Sequence, residues 1–207
     1  MIKNRLTALT TPKTDEGEDE MKKISTLFKK DPKNLGRVIN EVNPDNEWAF
    51  AYGRPTRKFD GTSCAIINGE LYKRFDAKRT KKGFKKPPEG AIPCQEADLI
   101  TGHQPFWVKC VEGDPSSKYH WEAFNKRSQP LEDGTYELCG EKINSNPENF
   151  TGHVLVRHDS EGLSLEDDSF DYIKQYLSEN DIEGIVFHHR EDDRMCKIRK
   201  KDFGIKR

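Results

Sequence analysis

The run Lys58-Phe-Asp-Gly-Thr-Ser-Cys-Ala-Ile-Ile-Asn-Gly-Glu-Leu-Tyr-Lys-Arg-Phe75 holds the clearest local structural signal in the chain. Ser63 to Ile67 and Glu70 to Phe75 are short runs of strand character on either side of Asn68-Gly69. That dipeptide tolerates positive φ at both positions and suits the two-residue turn of an antiparallel hairpin. At the mouth of the hairpin Lys58-Phe59-Asp60-Gly61 leads straight into Thr62 and a strand, which sets a lysine beside a tight turn at a sheet edge. Alone, a Lys-x-Asp-Gly string is also what an ordinary β-turn with a solvated lysine looks like.

Outward from this hairpin the chain continues to read as strands and turns. Lys78 to Lys86 is basic, closes on Pro87-Pro88 and is expected to be a solvated loop rather than sheet. Trp107 to Cys110, Tyr119 to Phe124 and Thr135 to Cys139 read as strands separated by Gly-Asp-Pro and Glu-Asp-Gly turns. One helix is expected over Ser169 to Ser178, where Phe170, Ile173 and Leu177 recur on one face behind the capping candidates Asp167 and Asp168. Ile182 to His188 and Met195 to Arg199 read as a closing strand pair. Before the hairpin, Ile24, Leu27 and Phe28 stand at helical spacing and Asp31-Pro32 ends that short element. Residues 1–20 end in Asp15-Glu16-Gly17-Glu18-Asp19-Glu20 with almost nothing apolar nearby, so they are expected to be a flexible acidic tail, with one domain over 21–207.

The 207 residues suffice for one substantial core. No apolar run approaches the roughly 20 residues that a bilayer demands, so no membrane contact is expected. The 35 basic and 36 acidic side chains nearly cancel, so any attraction for nucleic acid must be local. Cysteines at 64, 94, 110, 139 and 196 are odd in number and dispersed, unlike zinc knuckles or disulfide scaffolds. They fit a reducing, intracellular setting, cytoplasmic or nuclear. Met1 to Thr14 is basic and hydroxyl-rich, but too short and too soon acidic for a transit peptide.

Read in order, further pieces change the weight of Lys58. Arg74 lies on the return strand of the hairpin. Glu137 opens Glu-Leu-Cys-Gly at the end of another strand, and Glu183-Gly184-Ile185-Val186 opens the next. In Lys197-Ile198-Arg199, strand periodicity sets the two cations on one face, with Cys196 and Ile198 on the other. This ordered set resembles the nucleotidyltransferase motifs of the covalent ligase and RNA-capping superfamily. Within it the chain is most similar to the vertebrate-type ATP-dependent 5′-to-3′ RNA ligases and their viral and microbial relatives. The likeness extends to Leu71-Tyr-Lys-Arg-Phe-Asp76, Ile143-Asn-Ser-Asn-Pro147, Ile182-Glu-Gly-Ile-Val-Phe-His-His189 and Asp202-Phe-Gly204, and covers roughly residues 48–205.

The resemblance implies a single α+β nucleotidyltransferase domain, an ATP-grasp-like ligase adenylation unit with antiparallel sheets around a nucleotide cleft and helices outside. The eight residues after Arg199 leave no room for a C-terminal oligonucleotide-binding (OB) barrel, which ranks a compact RNA ligase above DNA ligases and capping enzymes. It implies ATP and Mg2+ as cofactors, with Mn2+ as a substitute, and RNA bearing 5′-phosphate and 3′-hydroxyl ends as partner, with no obligate protein partner. Lys58 would form a covalent lysyl-AMP, AMP would pass to the RNA 5′-phosphate, and a 3′-hydroxyl would then expel it. Glu137 would bind the ribose, Glu183 a magnesium ion, Lys197 the α-phosphate and Arg199 a further phosphate oxygen. Asp60 would fix the turn that presents Lys58, with a metal-water contact.

The physical demand is independent of any family. A lysine attacks phosphorus as a neutral amine, yet its ordinary pKa is about 10.4, and each tenfold gain in amine at neutral pH costs roughly 1.4 kcal/mol. Arg74, Lys197, Arg199 and a metal ion would raise the positive potential around Lys58, attract a triphosphate and stabilise phosphoryl transfer. Two departures stand out. Arg199 occupies the place of a usual second lysine, which favours bidentate phosphate contact over a point charge. No purine-stacking aromatic is identifiable near His153-Val-Leu-Val-Arg-His158, and Phe150 is the nearest candidate.

Basic residues cluster over 73–86 and 194–207, and Arg79, Lys81, Lys82 and Lys200 are candidate RNA contacts. Arg79 competes with Arg74 for the strand-arginine role, and the hairpin position favours Arg74. His188 and His189 are adjacent and point opposite ways on a strand, against joint chelation of a metal. Trp48, Trp107 and Trp121 are expected to be packing residues. The alternative readings are a GTP-dependent RNA guanylyltransferase and a noncatalytic module that binds RNA ends.

Overall fold

Asn68 and Gly69 have φ of 51° and 73°, the two positive angles that a tight hairpin turn of this type requires. Asp133 accepts from both of their N–H groups, at 2.6 and 2.9 Å, and so pins the turn to a neighbouring segment. The computed structural model describes residues 24–97 and 102–207. The expected acidic tail over 1–20 lies outside the described residues.

In chain order the strands are β1 (Ser25–Thr26), β2 (Phe28–Asp31), β3 (Asn34–Val42), β4 (Gly53–Lys58), β5 (Thr62–Ile67), β6 (Glu70–Thr80), β7 (Gly83–Lys85), β8 (Ile92–Pro93), β9 (Gln104–Lys109), β10 (Gly134–Gly140), β11 (His153–Arg157), β12 (Gly184–His189) and β13 (Met195–Arg199). The α-helices are α1 (Trp48–Tyr52), α2 (Lys118–Asn125), α3 (Phe170–Glu179) and α4 (Lys200–Phe203). One sheet has the order β1-β13-β12-β4, a second β11-β10-β5-β6-β9-β8 with β7 paired to β6, and β2-β3 form a separate hairpin. All pairings are antiparallel except β1 with β13. The chain is therefore a mixed α+β protein built mostly from antiparallel sheets.

Alternation along the strands gives each sheet an apolar and a polar face. On β12 and β13, Ile185, Phe187, Cys196 and Ile198 bury against Ile173 and Leu177 of α3 and against Leu27 and Phe28. On β5, β6 and β10, Cys64, Ile66, Leu71, Tyr136 and Leu138 bury against Ala123 and Phe124 of α2. The interleaved residues Ser63, Arg74, Thr135, Glu137, Val186 and Lys197 are left for the opposite faces, where the two sheets share a cleft. Trp107 is buried, and Trp48 and Trp121 pack at the edges of the cores, as expected of them.

Three local expectations are corrected. Ile24 to Phe28 is not helical: β1 pairs with β13, and the Leu27 N–H donates to the Lys197 carbonyl at 2.8 Å. A helix this short does not sustain itself, and an open sheet edge supplies the same backbone bonds with both apolar side chains buried. Asp31-Pro32 accordingly becomes part of the β2–β3 turn. Tyr119 to Phe124 is helix rather than strand. Asp114 caps the 3-10 turn at Pro115 by accepting from the Ser116 N–H at 2.9 Å, and the burial of His120, Ala123 and Phe124 follows helical spacing. Lys78 to Lys86 is a hairpin rather than a loop, because β6 runs on to Thr80 and returns as β7.

The helix expected over Ser169 to Ser178 is α3, but its cap is Ser169, which accepts from the Tyr172 N–H at 3.3 Å and donates to Asp167 at 2.6 Å. All five cysteines are free and buried. Burial pushes the thiols up, to about 12 for Cys94, Cys139 and Cys196. Among the described residues no helix is long and apolar enough to cross a membrane.

Candidate active site

The cleft between the sheets has a volume of about 580 Å³ and is lined by Lys58, Arg74, Glu137 and Lys197 together. These four come from β4, β6, β10 and β13, so residues as much as 139 positions apart in the sequence share one cavity. The register explains the convergence. Gly184 at the start of β12 pairs with Lys58 on one side and Arg199 on the other, which brings the ends of β4 and β13 to the same level as Glu183.

Lys58 Nζ donates to Glu183 Oε2 at 2.5 Å, and both side chains are about four-fifths buried. The closest charged partner of Lys58 is thus an acid, whereas the sequence led us to expect a ring of cations. That ring is incomplete because two of its members are engaged elsewhere. Arg74 lines the cleft while its Nε donates to Asp76 at 2.9 Å. Arg199 is not brought to the cleft wall: its fork makes two bonds of 3.0 Å to Asp202, a buried carboxylate that Lys30 also binds at 2.7 Å. Lys197 remains in the cavity. Burial, then the charges of Arg199 and Lys58, push its ammonium down to about 8.

Glu137 is buried at the cleft floor, where one oxygen accepts from the Gly61 N–H at 3.1 Å and the other meets His158 Nε2 at 2.7 Å. Gly61 has no substitute here, since a Cβ at this position would lie 2.2 Å from the Leu138 carbonyl oxygen. The Lys-x-Asp-Gly turn therefore sits flush against β10. Asp60 is held from outside the cavity: Asn144 donates to Oδ1 at 2.9 Å, and Arg207 lies 3.6 Å from Oδ2.

Among the described residues no three His, Cys, Asp or Glu side chains converge on a common point. The sites expected to bind metal, Glu183 and Asp60, are separately engaged, Glu183 with Lys58 and Asp60 with Asn144 and Arg207. Each of the two carboxylates taken singly is an oxygen donor of the kind that suits Mg2+, a cation commonly held by one or two carboxylates plus substrate phosphates and water.

Several cleft residues were given no role in the cleft from the sequence. Val186, His158 and His188 line the cavity, as do Arg54 and Arg57 of β4. The Thr56 hydroxyl donates to the Val186 carbonyl at 3.3 Å and lies 2.9 Å from His188 Nε2. The strand alternation that marks Lys197 also marks Val186 and His188, and that signal was available. Glu148, in the segment after β10, carried none. Its side chain is only 1% exposed and accepts from Arg57, from Arg207 at 2.9 Å and from the Asp60 N–H at 2.8 Å. Burial pushes this carboxyl up, but the Arg207 bond, the Asp60 N–H and the two arginine charges more than offset that, and it rests below its ordinary value.

The same segment carries Asn144, Ser145 and Asn146 in succession at φ of 48°, 65° and 55°. Such a run costs on the order of 1 kcal/mol or more per residue and persists only where bonds over-determine it. Asn144 donates to Asp60 and to the Gly61 carbonyl, and Asn146 brackets Phe150 with bonds of 3.0 and 3.1 Å. Phe150 is held in that turn and does not line the cleft. Arg79, Lys81 and Lys82 lie on the exposed β6–β7 hairpin, away from the cavity. Lys200 is only 7% exposed and so is not the surface contact expected, because it continues the inward parity of Cys196 and Ile198.

Two histidines set an acid limit. Burial, then Lys73 for His120 and Arg54 for His188, push both imidazoles down to about 4. When the chain unfolds, each binds its proton near pH 6.5. Below that pH the unfolded state holds more protons, so the stability from these groups is whole above about pH 6.5 and falls as pH drops toward 4. Urea midpoints are expected to decline across that window, and the double variant His120→Gln, His188→Gln should flatten the decline. A wild-type midpoint that does not change between about pH 7 and pH 5 would contradict the assignment.

A scan against protein-family models matches none of them to this chain, and a search of curated proteins finds no match either.

Proposed function

We propose that the chain is a covalent nucleotidyltransferase, and specifically an ATP-dependent RNA ligase that joins 5′-phosphate and 3′-hydroxyl ends. One observation carries the reading: a lysine from a Lys-x-Asp-Gly turn shares a cleft with Lys197, Arg74 and Glu137, each from a different strand. Six strand-borne cations line this cleft, Arg54, Arg57, Lys58, Arg74, Arg157 and Lys197, around the buried Glu137, and they suit a triphosphate and its sugar better than an uncharged substrate.

In the proposed first step the Lys58 Nζ lone pair attacks the α-phosphorus of ATP, the bond to the bridging oxygen breaks, and pyrophosphate leaves. Glu183, already bonded to Nζ, is placed to take the proton that the amine must lose. Lys197 and Arg74 offset the charge that builds on the phosphoryl oxygens and the leaving group. In the second step an RNA 5′-phosphate oxygen attacks the same phosphorus, the N–P bond breaks, and Nζ recovers a proton. In the third, a 3′-hydroxyl attacks the activated 5′-phosphate and AMP leaves. Mg2+ bound with ATP would supply charge neutralisation on the phosphate oxygens, and Glu183 would be the carboxylate to help hold it.

Incubation with α-labelled ATP and Mg2+ is expected to label the protein with AMP in a bond that survives alkali and is lost in acid, as a phosphoramidate is. GTP should label it far less. Equal labelling by both would favour the guanylyltransferase reading, and labelling by neither would end the covalent one.

A further inference from the structure

The β6–β7 hairpin is the most strongly charged feature outside the cleft. Lys78, Arg79, Lys81, Lys82, Lys85 and Lys86 fall within nine residues, with no acid between Asp76 and Glu89. Every residue from Lys78 to Lys86 is exposed. Among the described residues none of the six cations forms an ion pair with an acid. The protein as a whole has a formal charge of -1, so this is a local field that the overall balance hides.

The Thr80 hydroxyl closes the turn on the Gly83 carbonyl at 2.7 Å and Lys85 Nζ lies 4.2 Å from the centre of the Phe75 ring, but among the described residues the other five cationic side chains take no part in holding the arm. β6 pairs with β9 only as far as Ala77, and from Lys78 onward its sole partner is β7. Two-stranded hairpins are marginal on their own. Here Lys78 also stands directly across from Lys85, a like-charge pairing that weakens the ladder. Phe84, 49% exposed, sits at the tip opposite Arg79 instead of in a core. An exposed aromatic among lysines and arginines is the composition that grips a single-stranded nucleic acid, with the cations on phosphates and the ring against a base.

Position adds direction to the charge. The arm is the unbroken continuation of the strand that carries Arg74 into the cleft, and its tip lies about 20 Å beyond that residue at the rise of an extended strand. A polyanion with one end in the cleft would pass along it. We infer that the β6–β7 hairpin is a docking arm for the sugar-phosphate backbone of single-stranded RNA whose end occupies the cleft. The identity of the polymer rests on the ligase reading, whereas the presence of an anion-binding arm does not.

The test uses the full chain, with Lys81→Glu, Lys82→Glu as one variant and Phe84→Ala as another. All three sites are exposed, so folding is spared, and Lys81→Gln, Lys82→Gln serves as a milder second form. With a short 5′-phosphorylated single-stranded RNA as probe, the charge-reversal variant is expected to bind roughly tenfold more weakly, and its slope of log affinity against log salt should fall by about 1 to 1.5. Labelling of Lys58 from ATP without RNA should be unchanged, while sealing falls with RNA affinity. RNA affinity and salt slope equal to wild type in both charge variants would overturn the inference. So would a loss seen only toward polyglutamate or anionic phospholipid vesicles, which would assign the arm to a protein or a membrane. If wild type takes no AMP yet the variants still lose RNA affinity, the arm stands and the ligase reading fails.

Discussion

Lys58→Arg protein is expected to fold normally and to take up no AMP, and Lys58→Ala to lose labelling by more than roughly 10⁴-fold. Arginine keeps the positive charge and can pair with Glu183, which the lysine meets at 2.5 Å. It cannot shed its proton under any condition in which the protein survives, so it cannot present a lone pair to phosphorus. The two substitutions together separate a nucleophile from a charge. A residue that only attracts triphosphate would retain much of its effect as arginine, whereas an attacking amine would retain none. Labelling by α-labelled ATP, followed by mapping of the modified peptide, reads the result. Residual label at wild-type level in Lys58→Arg would place the covalent bond elsewhere and remove the basis of the mechanism.

The second large effect is on stability. Glu148→Ala is expected to cost about 3 kcal/mol, in the range for breaking a buried charge pair by removing one partner. The carboxylate sits between two guanidinium groups and the Asp60 N–H, and its loss removes the buried acid they share, leaving Arg57 only the more exposed Glu161 at 3.4 Å and Arg207 the exposed Asp181 at 3.2 Å and Asp60 at 3.6 Å. Arg57 and Arg207 retain some contact with solvent, which keeps the cost below that of an isolated buried charge. Glu148→Gln should cost less, since an amide oxygen can still accept from Asp60 but cannot balance two cations. The sign of the pH dependence follows from the depressed folded value of this carboxyl. Its contribution is present above the ordinary pKa of about 4.3 and is lost as pH falls through the folded value, so variant and wild type should converge in stability at low pH. Denaturant melts of the three proteins at neutral and acidic pH check both points. Because Glu148 holds the turn that carries Lys58, labelling should fall with stability in Glu148→Ala and less in Glu148→Gln.

A shared cause connects these two predictions. Lys58 lies on a turn whose backbone is anchored at Asp60 and Gly61 by other segments. Glu137 takes the Gly61 N–H, Glu148 takes the Asp60 N–H, and Asn144 binds the Gly61 carbonyl. Two buried carboxylates thus fix the turn that follows Lys58, and the resemblance assigned neither of them that task. Glu137 was expected to hold a ribose, and in the structure both of its oxygens are already bonded, one to Gly61 and the other to His158. A ligand hydroxyl would have to share Glu137 with these partners or displace His158.

What the sequence determined by itself was whatever depends on near neighbours along the chain. Asn68-Gly69 dictated a hairpin because the angles belong to those two residues alone. Strand alternation placed Lys197 and Arg199 opposite Cys196 and Ile198, and the helix at Ser169 followed from its apolar spacing. The order of the charged motifs was likewise enough to nominate Lys58, Arg74, Glu137, Glu183 and Lys197. The tertiary structure alone decided which of these groups meet and what state they meet in. Whether Leu27 and Phe28 lie on a helix or a strand depended on an open edge at β13, and whether Arg199 faces a ligand depended on Asp202 being buried within reach of its fork. Glu148 was invisible because its role comes from two arginines 91 and 59 positions away. Backbone angles are local properties that a short stretch of sequence can specify, but the partner of a charge is chosen by distance in space, and distance is set only when the sheets close.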